Sequence, residues 1–131
     1  MAVQEAERVF IKDLHFEHRL WINELKFFRV EIEVFEPRLE ELAMRYTSPK
    51  VLARLEQFQN KFIHQREVIH ELKNKVQAHE KQLARFAEEH PVALDHQHFA
   101  DHAELREEMQ QYRKIFTELK DSFFRYLAEW M

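Results

Sequence analysis

Residues 14–46 read LHFEHRLWINELKFFRVEIEVFEPRLEELAMRY, and in this stretch apolar or aromatic side chains recur at alternating intervals of four and three residues. The series is Leu14, His18, Trp21, Leu25, Phe28, Ile32, Phe35, Leu39, Leu42 and Tyr46. This spacing places every member on one face of an α-helix. The stretch therefore predicts a long amphipathic helix that buries one face, here called the inner seam, against other helices.

The same spacing continues in two later segments, from Phe58 to His90 and from His98 to Trp130. The polar members of the three seams are Gln65 and five histidines, namely His18, His79, His90, His98 and His102. A buried seam should select against polar side chains. The histidines therefore mark the part of the molecule in which to look for function.

Helix boundaries follow from three local signals. Ser48 is a good N-cap and Pro49 a good first helical residue, whereas Pro91 disfavours helical geometry at His90 and Asp95 can cap a third helix. These signals predict helices over about residues 4–46, 49–89 and 96–130 of a single domain, residues 1–131. Long helices joined by short turns run up, down and up, so the predicted fold is an all-α antiparallel three-helix bundle.

Pro37 lies within the first predicted helix, where it removes a backbone donor and crowds the preceding turn. The inner seam keeps its phase from Phe35 to Leu39. This continuity favours a kinked helix over a break. The alternative is a short separate helix over residues 38–46, which would make a four-helix bundle.

Composition narrows the classes of function. The 131 residues contain no Gly and no Cys, and acids and bases are interspersed with a net charge of -4. A backbone without glycine argues against hairpin-rich β folds and phosphate-binding loops, so we expect no nucleotide cofactor. Missing thiols exclude disulfides and thiolate metal sites, and the charge gives no reason to expect a nucleic-acid partner. Without a signal-like start or a membrane-length apolar run, we expect a soluble cytoplasmic protein with no membrane contact.

The first helix also carries apolar residues on the side away from its inner seam. They are Phe16, Leu20, Phe27, Val30, Val34 and Met44. A surface helix of a monomeric bundle should be polar there, and an exposed apolar strip usually marks an interaction surface. We expect a homodimer formed through this strip, with another protein partner possible. The alternative is that a wide three-helix core covers these residues.

Antiparallel pairing brings the seam histidines to one end of the bundle. With the first turn near Thr47 and Ser48, His18 faces the neighbourhood of Gln77, within one turn of His79. A similar alignment of the second and third helices places His79 one turn from His102. All five seam histidines thus fall in the half that carries the second connection, and aromatic residues fill the other half.

Imidazole readily binds transition metals, and ligands three or four residues apart share a helix face. The predicted ligands of an Fe or Zn ion are His18, His79 and His102, with His98 or His15 as the fourth. Flanking carboxylates could act as ligands or as acceptors that orient the imidazoles; they are Glu17, Glu80, Asp101 and Glu108. Glu67 and His70 have the spacing of a di-iron motif but fall on a solvent-facing arc.

Two functions remain open at this point. The first is a metal-binding bundle for storage, sensing, or simple redox or hydrolytic chemistry, so the sequence leaves enzymatic activity undecided. The second is a non-catalytic homodimeric interaction module in which the histidines are packing residues.

Overall fold

The computed structural model describes residues 11–89 and 96–130, with only the backbone described at residues 89 and 96–99. Three helices account for nearly all of this part: α1 is Ile11–Arg45, α2 is Pro49–Glu89 and α3 is His96–Trp130. No strand occurs among the described residues, so the predicted all-α class is confirmed. The predicted helical residues 4–10, the cap at Asp95, Pro91 and His90 lie outside the described residues.

The turn between α1 and α2 has the chemistry that the sequence predicts. The Leu52 amide donates to the Ser48 carbonyl at 3.0 Å, which makes Ser48 the residue before the first helical turn. Pro49 occupies the first helical position, where a missing N–H costs nothing. The chain therefore reverses direction within residues 46–48.

Ion pairs between helices establish the directions. Between α1 and α2 the partners are His18 with Glu80 and Glu36 with Arg66. Because the residue number falls along α2 as it rises along α1, the two helices are antiparallel. From α1 to α3 the partners are Glu17 with Arg106, Glu24 with Arg113, and Glu31 with Lys120. Both numbers rise together in steps of seven, so α1 and α3 are parallel. The topology is up, down and up.

Helix α1 continues through Pro37 to Arg45. Leu39 and Leu42, beyond the proline, are buried like Phe35 before it, so the inner seam keeps its phase. The described part of the chain has no separate helix over residues 38–46. The four-helix alternative is therefore not observed.

Aromatic rings fill the half of the core next to the α1–α2 turn. Phe123 is fully buried, and its ring centroid lies 5.3 Å from that of Phe35 and 5.1 Å from that of Phe62. The Tyr46 hydroxyl donates to the Trp130 carbonyl at 2.6 Å, which ties the end of α1 to the end of α3. The described helices contain no segment long and apolar enough to cross a membrane.

Candidate metal centre

Three histidines, one from each helix, meet in the half of the core away from the α1–α2 turn. His18 of α1, His79 of α2 and His102 of α3 are 2%, 4% and 1% exposed. The Nε2 atom of His18 lies 3.1 Å from Nδ1 of His102 and 3.1 Å from Nδ1 of His79. The inner seam brings these side chains together because each occupies a core position at the same level of its helix. We call them the histidine triad.

Two members of the triad each have a carboxylate at the ring nitrogen that faces away from the other histidines. Glu80 Oε2 contacts Nδ1 of His18, and Glu17 Oε1 lies 2.5 Å from Nε2 of His102. Arg106 holds Glu17 in turn: its Nη2 donates to Oε1 at 2.7 Å and its Nε to Oε2 at 3.1 Å. Such a two-point contact fixes the plane of the carboxylate. Arg106, Glu17 and His102 therefore form a chain of hydrogen bonds that ends at the triad.

Burial sets the protonation states of these groups. Burial lowers the pKa of His102 to about 4, although its hydrogen bond to Glu17 opposes the shift. The pKa of His18 is also lowered by burial, against the opposing effect of Glu80. Burial alone would raise the pKa of Glu17, but hydrogen bonds from Arg106 and His102 outweigh it and lower that pKa. At neutral pH both imidazoles are thus neutral and Glu17 is ionised.

The carboxylates then decide which ring nitrogen carries the proton. An ionised carboxylate only accepts hydrogen bonds, so His18 donates from Nδ1 to Glu80 and His102 donates from Nε2 to Glu17. A neutral imidazole has one N–H, so His18 Nε2 and His102 Nδ1 both present lone pairs. These two acceptors face each other at 3.1 Å. His79 Nδ1 also lies 3.1 Å from His18 Nε2, so an N–H of His79 or a cation at the centre can satisfy that lone pair.

The spacing of the three nitrogens suits a metal ion. The candidate ligand atoms of the triad all lie within 4.8 Å of one another. Two nitrogens 3.1 Å apart can each lie about 2.0–2.1 Å from one ion, at an angle of about 95–100°. Carboxylates hydrogen-bonded to the far nitrogens are the usual outer partners of metal-binding histidines. The triad therefore has the donor atoms and the surroundings of a transition-metal site.

His15 lies beside the triad rather than within it. It is partly buried, and its Nδ1 contacts Oε1 of Glu80, whose other oxygen binds His18. His15, His18 and Glu80 form a second group whose candidate ligand atoms lie within 4.8 Å of one another. Glu80 thus links His15 to the outer nitrogen of His18.

The other predicted site residues lie at the margin of the site or outside the described part. Asp101 and Glu108 line a surface groove of about 320 Å³ that also reaches His79. Glu108 accepts a hydrogen bond from Lys75 at 3.2 Å. The side chain of His98 is outside the described part, so its role as a ligand stays a prediction.

The other two histidines with described side chains in α2, His64 and His70, face solvent, as the sequence predicts. His64 is exposed beside Glu67, and His70 is exposed within 3.3 Å of Asn74. Both lie outside the groups of candidate ligands found among the described residues. Substitutions of His64 and His70 are therefore suitable controls for substitutions in the triad.

Sequence reasoning missed two residues of the site. Arg106 was not expected to fix Glu17, and Trp21 was expected only as a core residue. The Trp21 ring stacks on His102 with centroids 4.9 Å apart and covers one side of the triad. A signal for Arg106 exists, since acids at 17, 24 and 31 and bases at 106, 113 and 120 repeat every seven residues.

Comparison with known proteins provides no relative. Family models, curated proteins and solved structures gave no match to this chain. The geometry of the site is therefore the basis for inferring its function.

Proposed function

We propose that this protein binds one divalent transition-metal ion, Zn²⁺ or Fe²⁺, through His18 Nε2, His79 Nδ1 and His102 Nδ1. The observation that carries the proposal is the 3.1 Å approach of His18 Nε2 to His102 Nδ1, with Glu80 and Glu17 at the opposite nitrogens of the two rings. Neutral imidazoles bury these acceptors at a cost unless a donor or a cation lies between them. A metal ion satisfies both nitrogens at once.

The chemistry of the donors supports a first-row metal. Three imidazoles suit Zn²⁺ and Fe²⁺, whereas Mg²⁺ and Ca²⁺ prefer oxygen ligands. Three neutral ligands leave the charge of the ion uncompensated, and Glu17 and Glu80 lie one hydrogen bond away to balance it. Three protein ligands also leave a coordination position for water or a small molecule.

Two surface grooves provide approaches to the triad. One reaches His79 between α2 and α3, and the other, of about 380 Å³, reaches His18 between α1 and α2. Glu80 lines the second groove and can collect a cation before the ion reaches the buried nitrogens. An ion can therefore enter without separation of the helices.

The site joins all three helices, so metal binding and folding are coupled. The unfolded chain has no preformed site, and the free energy of binding adds to the free energy of unfolding. We propose that the ion locks this half of the bundle. Metal availability would then control the stability of the folded protein.

Untagged protein tests this proposal by elemental analysis and calorimetric titration with Zn²⁺. We expect one ion per chain, lost in His18→Ala, His79→Ala and His102→Ala and retained in His64→Ala and His70→Ala. Protonation of the ligands should release the ion only as the pH falls toward about 4, because burial lowers the pKa of His102 to about that value. Wild-type protein that binds no metal, or a requirement for His70, would overturn the proposal.

We also propose self-association through the outer face of α1. Six large apolar residues there are exposed, with Phe16 62% and Val34 65% exposed. They are Phe16, Leu20, Phe27, Val30, Val34 and Met44. A two-fold dimer is the commonest way to cover such a strip. Light scattering at micromolar concentration should give twice the chain mass of 16.2 kDa, and a clean monomer would refute it.

A further inference from the structure

The outer face of α1 has a second heptad seam. Phe16, Leu20, Asn23, Phe27, Val30 and Val34 follow one another at intervals of four, three, four, three and four residues. All six are exposed. After Val34 the next positions are Pro37 and Glu41, so the apolar series ends there. We call these six residues the outer seam.

The outer seam lies opposite the inner seam on the same helix. The inner positions between Leu14 and Phe35 are buried, except Phe28, which is partly buried against the core. Strict four-three spacing of large side chains is the pattern with which one helix packs against another along its length. Both neighbours of α1 within the chain already occupy its inner side. Neither α2 nor α3 covers the outer seam in the described part of the chain, so the seam is open to a helix of another molecule.

We propose that the occupant is α1 of a second copy of this chain, packed parallel and in register, so that each outer-seam residue meets its own counterpart. This inference rests on the self-association proposed above and does not depend on the metal centre. Two observations select the parallel arrangement: the charges that flank the seam, and the position of Asn23.

Charges on the two flanks of the outer seam match in the parallel arrangement. In parallel helices, a residue on one flank meets the residue five positions later on the opposite flank of the partner helix. The resulting pairs are Arg19 with Glu24, Lys26 with Glu31, and Glu33 with Arg38. Every pair joins opposite charges.

The antiparallel arrangement places like charges together. At the middle of the seam it sets Lys26 against Lys26 of the second copy and Glu24 against Glu24 of that copy. Glu17 also meets Glu31, and only Arg19 with Glu33 joins opposite charges. Arg113 and Lys120 of α3 hold Glu24 and Glu31 along the same flank, which keeps the two carboxylates in position. Flanking charges set the orientation of paired helices more than their affinity.

Asn23 supplies the second argument. It is the one polar residue of the outer seam and lies between Leu20 and Phe27. In a parallel register it faces Asn23 of the second copy, and the two amides hydrogen-bond to each other. In the antiparallel register it faces Phe27 and is buried without a partner, at a cost. Pairing of Asn23 with its own counterpart therefore favours the parallel, in-register arrangement.

Disulfide trapping distinguishes the orientations, because the chain has no cysteine of its own. Val34→Cys lies at one end of the outer seam and Phe16→Cys at the other, about 27 Å away along the helix. A disulfide needs Cα atoms within about 7 Å. Parallel pairing predicts that Val34→Cys alone oxidises to a covalent dimer in high yield, as does Phe16→Cys alone.

The other outcomes distinguish a failure of the parallel orientation from a failure of the proposed self-association. Disulfides that form only when the two variants are mixed would establish antiparallel pairing and overturn the proposed orientation. A dimer by light scattering without any disulfide would place the interface on another face. A monomer would overturn self-association itself. All measurements are repeated with a chelator, and we expect the same result with and without metal.

A charge reversal provides an independent test. Lys26→Glu should weaken the dimer roughly 3- to 10-fold at low salt, because it sets two acids together on each side of the seam. The difference should shrink as salt is added. The matched control is Lys81→Glu, the same change at an exposed position of α2. Equal effects of the two variants would contradict the assigned flank.

Discussion

The two halves of the core contain ring clusters of similar size and opposite chemistry. Near the α1–α2 turn, the ring of Phe123 lies 5.3, 5.4 and 5.1 Å from those of Phe35, Phe58 and Phe62. In the other half, the rings of the histidine triad lie 4.9, 5.1 and 5.5 Å apart. Phenyl rings have no hydrogen bonds to lose, whereas buried imidazoles must place every lone pair. One half is therefore complete in itself, and the other would gain stability from the proposed metal ion.

The aromatic half gives the largest expected effect. Phe123→Ala should lower the free energy of unfolding by about 3–5 kcal/mol, because it leaves a cavity among three rings. The loss should be equal with Zn²⁺ and with chelator, as measured by urea denaturation. If the loss in the free energy of unfolding depended on metal, the aromatic half would not be independent of the histidine half.

Acid should destabilise the histidine half of the metal-free protein. The pKa of His102 in the folded state is about 4 and its ordinary value is 6.5, so the unfolded chain takes up the proton first. Stability is then fully present above about pH 6.5 and falls as the pH drops toward 4, by an amount on the order of 3 kcal/mol. Denaturation midpoints measured across this range in chelator test the direction.

His102→Leu is the matched variant for the pH experiment. It removes the titrating group and leaves Glu17 bound to Arg106. We expect a flatter pH profile than in the wild type, whereas His70→Ala should keep the wild-type slope. Parallel profiles for wild type and His102→Leu would show that the buried imidazole does not set the acid sensitivity.

The carboxylate behind His102 should have a smaller effect. Glu17→Gln keeps the shape of the side chain but weakens the acceptor that orients His102, so Zn²⁺ affinity should fall about 10- to 100-fold. Glu24→Gln is the matched control, because Glu24 binds Arg113 at 2.7 and 2.8 Å one heptad away and touches no triad member. Calorimetric titration compares the two variants. Equal loss of affinity in both would indicate a general electrostatic effect.

The fold was accessible from sequence because its signals are local and repeated. Four-three spacing identified the buried face of each helix, and Ser48-Pro49 located the first turn. The sequence also predicted that His18, His79 and His102 come together, because short turns determine which residues of antiparallel helices lie at the same level. That alignment is good to about three residues, or 4 to 5 Å.

The atomic arrangement of the site was beyond that precision. Whether His18 presents Nε2 or Nδ1 to the centre depends on a side-chain rotation that spacing does not encode. Arg106 was missed because it acts through Glu17 and not on a histidine. Glu17 and Glu80 were predicted as ligands or as orienting acceptors, and in the structure they contact His102 and His18.

The central claim is that two carboxylates direct the lone pairs of His18 and His102 to one point, and ring-nitrogen NMR tests it most directly. Two-dimensional ¹H–¹⁵N spectra that correlate ring carbon-bound protons with ring nitrogens distinguish the two tautomers of each histidine. For metal-free protein at neutral pH, we predict the Nδ1–H form of His18 and the Nε2–H form of His102. One equivalent of Zn²⁺ should shift His18 Nε2, His79 Nδ1 and His102 Nδ1 while both tautomers persist and His70 stays unchanged. The opposite tautomers, or spectra that Zn²⁺ leaves unaltered, would contradict the account.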